Sequence, residues 1–413
     1  MDKCGARTQE AFTDPSDTGS LSVLSYLSRC PIMIQGPEDK QAAAPSARLV
    51  ANSYHRASKG ATLTCDQMSS RERWDALVRG DRLDRVPCLQ FMLGHTAVVN
   101  GKPIAKVYDD AALSLACQRN AMALYGHDGL VMHGWANAGG AEFGGEVEFP
   151  YRKYTGAPMM KKNPVQNEGD AWALRVPEDI LSAGTIPIAL EFSRLQYELG
   201  MPVTVQVGSP LTWAGSVCGE ERLMVWIIKK PDLVHHLLRV ITDFILEKAE
   251  YWVKEFGAEH IMAFDLCIET NKLYSPKQFE TFAFPYLKEV HDGLTGVGVS
   301  IFLSHICGEQ NKNLPYWSQL SYGKRGMISV GKEVTLATAG QTFPECVIMG
   351  NVDTITVQEG APEQVLALCR SCIEEGKSHP GGYALMTGCE VPPQAPPVNV
   401  GQMVGACREF GRY

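Results

Sequence analysis

From Ser69 onward, short apolar runs alternate with stretches whose apolar residues recur three and four positions apart. The runs are Val86–Met92, Gly129–Met132, Val203–Val207, Ile261–Asp265, Val299–Ser304, Met327–Ser329, Cys346–Met349 and Tyr383–Met386. Short, near-continuous apolar runs are the pattern of strands buried on both faces. The stretches between them carry helix signals. Pro231 opens a face of Leu233, Leu237, Ile241, Phe244, Ile245, Trp252 and Phe256, closed by Gly257. Ser275-Pro276-Lys277-Gln278 reads as a capping box with Pro at the first helical position. Pro285 predicts a kink in the helix that follows, and Pro362 opens another that ends before Gly376. Eight strands alternating with helices predict an α/β fold, a closed (β/α)8 TIM barrel.

Residues 1–68 break the pattern. They hold Ser-rich and Ala/Pro-rich stretches, with apolar character mainly in Leu21–Ile34. They read as a partly irregular N-terminal extension, leaving 69–413 as the barrel domain.

Barrel active sites lie at the C-terminal ends of the strands. Polar or ligand-type residues gather there: His95 after the first run; Asp265, Cys267 and Glu269 around the fourth; His305 and Cys307 after the fifth; Asn351 and Asp353 after the seventh; Cys389 after the eighth. Residues at i and i+2 of one strand end point the same way, so His305 and Cys307 share a side. With Cys389 they make a three-ligand set that leaves a fourth position open, as catalytic zinc requires. The competing reading is a buried His/Cys pair that binds nothing, with Cys389 as a core thiol. Asp265 and Glu269 are candidates for acid–base work or a reversible fourth ligand, and Asp265 equally suits a loop cap. His95, Asn351 and Trp213 are candidate substrate-binding residues, against packing or turn-forming roles. Cys369-Arg370-Ser371-Cys372 falls inside a helix, away from the N-terminal dipole that stabilises thiolates, and reads as structural.

Composition adds exclusions. The chain is 45% apolar and 20% charged, with formal net charge −8 and no Lys/Arg block, which argues against a nucleic-acid partner. There is no run of about 18 apolar residues, so no membrane span is expected. The first residues lack the apolar core of a signal peptide, so a cytoplasmic protein is expected. Thirteen cysteines, an odd number scattered through apolar segments, suggest reduced thiols rather than a disulfide framework.

Several motifs carry a family resemblance. They are Ser70-Arg71-Glu72-Arg73, Gly80–Pro87, Ala141–Val147, Gly208-Ser209-Pro210, Leu273–Pro276, His305–Gly308, Gly350–Asp353 and Gly388–Pro393. Over about Ser70 to Tyr413 the chain resembles the uroporphyrinogen decarboxylase superfamily, and within it the zinc-dependent cobamide methyltransferases. The resemblance implies a (β/α)8 barrel with zinc on His305, Cys307 and Cys389. It implies methyl transfer between corrinoid (cobalamin) cobalt and a zinc-bound thiol, or a methylated small molecule such as a methyl ether. Two thiolates and an imidazole make a neutral zinc site, which favours the thiol. The chain lacks the Asp-x-His-x-x-Gly signature of corrinoid domains, so the corrinoid is expected on a separate partner protein. The decarboxylase branch is the alternative. It uses no metal and grips a substrate bearing eight carboxylates with an arginine-bearing loop after the first strand. Here Leu89–Gly101 contains no Arg, and such a substrate would need cations there. A catalytically idle binding module is the third reading, and the intact ligand set argues against it.

Overall fold

The computed structural model describes residues 66–129, 131–135, 138–151 and 156–413. The extension therefore lies outside the described residues, apart from Asp66 to Met68. An antiparallel pair, β1 (Glu146–Glu148) and β2 (Met159–Lys162), precedes the main sheet. That sheet is wholly parallel and runs in chain order: β3 (Val203–Gln206), β4 (Ile261–Cys267), β5 (Ile301–Ile306), β6 (Arg325–Val330), β7 (Val347–Val352) and β8 (Tyr383–Thr387). Nearly every residue in these strands is buried, as the continuous apolar runs predict. The helices Pro231–Phe256 and Pro362–Gly376 begin at the prolines that mark them, and the Ser275/Gln278 capping box is present.

The first two predicted strands survive only as single parallel bridges, Cys88 with Leu385 and Leu89 with Asp128. These place segment 86–92 between β8 and the second segment, so the (β/α)8 order holds. Among the described residues no strand ladder joins the second segment to β3; glutamine side chains supply bonds there. Gln196, on the helix Ile186–Glu198, donates to Val131 O at 2.8 Å and accepts from Thr204 N at 2.9 Å. Gln118, on the helix Ala111–Tyr125, makes a two-way pair with Met132, its amide donating to O at 2.9 Å and accepting from N at 3.1 Å. Gln206 donates to Trp135 O at 2.9 Å. Buried backbone groups need partners, and one carboxamide offers both a donor and an acceptor.

Strand boundaries differ from the apolar runs by up to three residues. β5 starts two residues later than its run and includes His305, while β7 reaches Val352 and includes Asn351. The runs follow hydrophobicity, whereas the ladders continue into polar positions at the barrel mouth. The disturbance near Pro285 is a π-helical turn, Phe279–Ala283; Pro285 itself sits in the first turn of Phe284–Gly296, where its missing N–H is not required.

At the N-terminal ends of the first two segments lies a buried ion network. Asp128 accepts from Arg73 at 2.5 Å, from Arg85 at 2.8 Å and from Cys88 N at 2.9 Å. Arg73 also pairs with Asp84 at 2.8 Å, and Arg85 with Asp66 at 2.9 Å. Asp66 in turn meets Arg408 at 3.2 Å, so this network reaches three residues ahead of the boundary expected at Ser69. Burial alone would raise the Asp66 carboxyl, but hydrogen bonds from Arg85 and Arg408 outweigh it and hold its pKa at about 2. A folded value below the usual 3.8 means that its stabilisation is complete above the unfolded pKa and is lost as pH falls toward 2. Asp66→Asn should therefore lower stability at neutral pH by on the order of 1–2 kcal/mol. In urea titrations its deficit should shrink between about pH 5 and about pH 3, and a deficit independent of pH would contradict the assignment.

Candidate metal centre

Parallel pairing sets His305 beside Leu266 and Ser329, on the face of β5 opposite to Ser304 and Asp265. Cys307 follows at the strand's end, and its N–H bonds Cys267 O at 2.9 Å. Cys389 lies two residues beyond β8. The ligand atoms of His305, Cys307 and Cys389 all lie within 4.8 Å of one another. Among the described residues this is the only such set of three His, Cys, Asp or Glu side chains. The two sulfurs are 4.0 Å apart, close to the roughly 3.8 Å that tetrahedral zinc with Zn–S bonds of about 2.3 Å requires.

The imidazole is set for ligation. Nδ1 lies 3.0 Å from Ser329 Oγ, and Nε2 is buried with no hydrogen-bond partner. Ser329 donates its own O–H to Met386 Sδ at 3.8 Å. Its lone pair is then left for Nδ1–H, so Nε2 is the bare nitrogen. The contact between the two sulfurs, in which either can donate, holds the Cys389 thiol below the usual range, against burial. The same contact, with burial, pushes Cys307 up. Two thiols beside a bare imidazole nitrogen form a donor set that fits a soft or borderline cation such as zinc.

Neighbours fix the loops. Gln310 donates to Cys307 O at 3.1 Å, and Thr387 donates to Cys389 O at 2.5 Å. Glu390 accepts from Leu93 N at 3.0 Å and from Gly94 N at 3.2 Å, tying the Cys389 loop to the end of the first segment. Sequence reading missed Ser329, Gln310 and Thr387, since polar residues near strand ends carry no distinguishing pattern. Glu390 had one signal, its place directly after Cys389. Ser329→Ala should weaken zinc binding by about 10–100-fold, read by competition with a chromophoric chelator. Equal affinity in the variant would remove Ser329 from the site.

The other candidate residues are engaged elsewhere. Asp265 faces the helix layer, 3.0 Å from His291 Nε2. Glu269 is fully buried and accepts from Thr212 N at 2.9 Å and Thr212 Oγ1 at 2.8 Å, near the start of the helix Pro210–Cys218. Burial raises its pKa, against the hydrogen bonds from Thr212. His95 is buried with both nitrogens occupied, by Tyr125 OH at 2.7 Å and Pro393 O at 3.4 Å; burial pushes its pKa down to about 4. Asn351 donates to Gly331 O at 3.2 Å and Val334 O at 2.7 Å, holding the loop after β6. Asp353 caps the helix that follows it and pairs with Lys332 at 2.8 Å. Trp213 is buried against Gly139 and Gly208. Cys369 and Cys372 are buried within their helix and carry no disulfide.

Fold and cluster together define an α/β barrel with a His/Cys/Cys cluster at its strand ends. The chain belongs to the uroporphyrinogen decarboxylase family, which it matches over residues 69–410. A methylated-thiol–coenzyme M methyltransferase of Methanosarcina mazei is 27% identical over 237 residues, 56% of this chain and 61% of that protein. The chain thus spans less than two thirds of that relative's length. The methylcobamide:CoM methyltransferase MtaA of Methanosarcina barkeri is 27% identical over 241 residues, 57% of this chain and 67% of that protein. A uroporphyrinogen decarboxylase of Anaeromyxobacter sp. is also 27% identical, over 268 residues, 62% of this chain and 72% of that one. Identity therefore does not separate the two activities. The solved structure of a methyltransferase from Methanosarcina mazei superposes with a TM-score of 0.69 at 23% identity, covering 83% of this chain and 99% of the other, a likeness of fold.

Proposed function

We propose that this protein is a zinc-dependent corrinoid methyltransferase. It moves a methyl group between corrinoid cobalt, carried on a partner protein, and a thiol or a methylated small molecule. The observation that carries this reading is the bare, buried His305 Nε2 beside two thiols 4.0 Å apart at the barrel mouth. His305, Cys307 and Cys389 would hold the zinc, which when bound supplies the Lewis acidity that ionises a thiol or polarises a methylated heteroatom. Ser329 keeps the His305 tautomer, Gln310 and Thr387 hold the two cysteine loops, and Glu390 anchors the second loop to the first segment. Asp265, Glu269, His95, Asn351 and Trp213 carry no reacting role in this reading: His95 and Asn351 are bonded within the wall, Asp265 and Glu269 are each held through one oxygen, by His291 and Thr212, and Trp213 packs on Gly139 and Gly208. The catalytic domain is 69–413, supported by the span of the family match, with Asp66 as its outer tie. Among the described residues no helix is long and apolar enough to cross a membrane, and a cytoplasmic location is part of the proposal.

The segment from Leu89 to Gly101, which carries no arginine, disfavours the decarboxylase. The test mixes the protein with methylcob(III)alamin and a panel of thiols under anaerobic conditions and follows the appearance of cob(I)alamin by absorbance. The reverse direction uses cob(I)alamin with methyl ethers and other methylated donors. Turnover in one direction is expected, and Cys307→Ala should abolish it. Failure of both, with free and protein-bound corrinoid, together with metal-free decarboxylation of uroporphyrinogen, would establish the alternative. Failure of every reaction would favour a binding module.

A further inference from the structure

We propose that Lys248, with the indole N–H groups of Trp135 and Trp213, forms a second ligand site that binds a small monovalent oxyanion of formate to acetate size. The site occupies the seam between the second segment and β3 and shares no lining residue with the His305–Cys307–Cys389 cluster.

Lys248 lies on the helix Pro231–Phe256 and is 3% exposed. Its ammonium has three N–H donors. Among the described residues the only acceptor bonded to it is Gln206 O, at 2.5 Å. The charge rests over the Trp213 ring, 4.5 Å from the centroid. Glu142 lines the same cavity, but its two oxygens already accept from Gly139 N at 2.9 Å and Thr185 Oγ1 at 2.6 Å. Trp135 Nε1 and Trp213 Nε1 are buried without acceptors. Trp213 has little room to turn away. A Cβ at Gly208 would sit 2.2 Å from its Nε1, and one at Gly139 would sit 2.7 Å from its ring.

The unmet groups are thus donors on Lys248 and two tryptophans. Buried polar groups are ordinarily paired, so an excess of donors defines an acceptor-rich guest. The cavity gives the centre of a water-sized molecule about 30 Å³ of room. At about 10–15 Å³ per water by that measure, this limits the guest to a few heavy atoms. Glu142 keeps the local charge low and disfavours a dianion. Ile186, Ala189 and Val205 supply apolar wall for a methyl or C–H end. Burial lowers the Lys248 pKa to about 8, with Glu142 opposing, so the amine remains mostly charged at neutral pH.

The test titrates the full-length, metal-loaded protein with sodium formate and sodium acetate, chloride holding the ionic strength constant. Tryptophan fluorescence and the line width of ¹³C-formate are followed. A saturable response in both is expected. Lys248→Met should weaken binding by at least about tenfold, from loss of a charge-assisted hydrogen bond. Trp135→Phe, which keeps the aromatic packing, should weaken it by about threefold. Zinc content and circular dichroism should match the parent in both variants. A response that never saturates, or midpoints unchanged in Trp135→Phe, would mean that the cavity holds only water. If Lys248→Met fails to fold, the Trp135→Phe titration decides.

Discussion

Cys389→Ser is expected to retain only a small fraction of the zinc of its parent, in which elemental analysis should find about one ion per chain. The exchange swaps a thiol for a hydroxyl that resists ionisation at neutral pH, and structural and catalytic zinc sites are built from thiolate, imidazole and carboxylate donors. Little else should change. The Thr387 hydroxyl still meets the backbone carbonyl of residue 389, and Glu390 still holds Leu93 and Gly94. Loss of zinc with an unchanged circular dichroism spectrum therefore isolates the ligand. Full zinc in the variant, or none in the parent, would remove the centre from consideration and the proposed chemistry with it.

The largest loss of stability is expected at the opposite end of the barrel. Asp128 is buried and partners two buried guanidiniums, Arg73 and Arg85, as well as Cys88 N. Asp128→Ala leaves both cations facing an empty space, and removing one member of a buried ion network costs about 3–5 kcal/mol. Asp128→Asn keeps the shape and loses the charge, so it should fall between the alanine variant and the parent. Urea unfolding measures both. A loss below about 1 kcal/mol for alanine would show that water or Asp84 compensates. Zinc content should survive in molecules that remain folded, since the network lies at the strand starts and the cluster at the strand ends.

The barrel was legible because six of its strands are buried on both faces and therefore read as continuous apolar runs. Two were less so. Segment 86–92 and the second segment bond mainly through isolated bridges and side chains, so their apolar residues announce burial without announcing a ladder. The His305/Cys307 pair was visible from spacing and Cys389 from its place after a strand, because i, i+2 alternation fixes direction even when strand limits are off by two residues. What spacing does not encode is which face a neighbouring polar residue takes. Asp265 precedes Leu266, the register partner of His305, by one position, and that one step turns it outward to His291. Ser329 was unreadable for the complementary reason: it supports His305 only through a parallel register that no local pattern reveals.

The glutamine bonds beside the second segment have a mechanical consequence. In β4 to β7 each strand braces the next through its own backbone, so the position of one is dictated by its neighbours. Residues 131–132 are instead held by amides rooted in two outer helices, one of which also takes Thr204 N on the edge of β3 away from β4. A shift of either helix is passed inward to these residues without breaking a strand pair. The outer layer and the inner wall are geared together here, and deuterium uptake at the Met132 and Thr204 amides would report the play in that gearing.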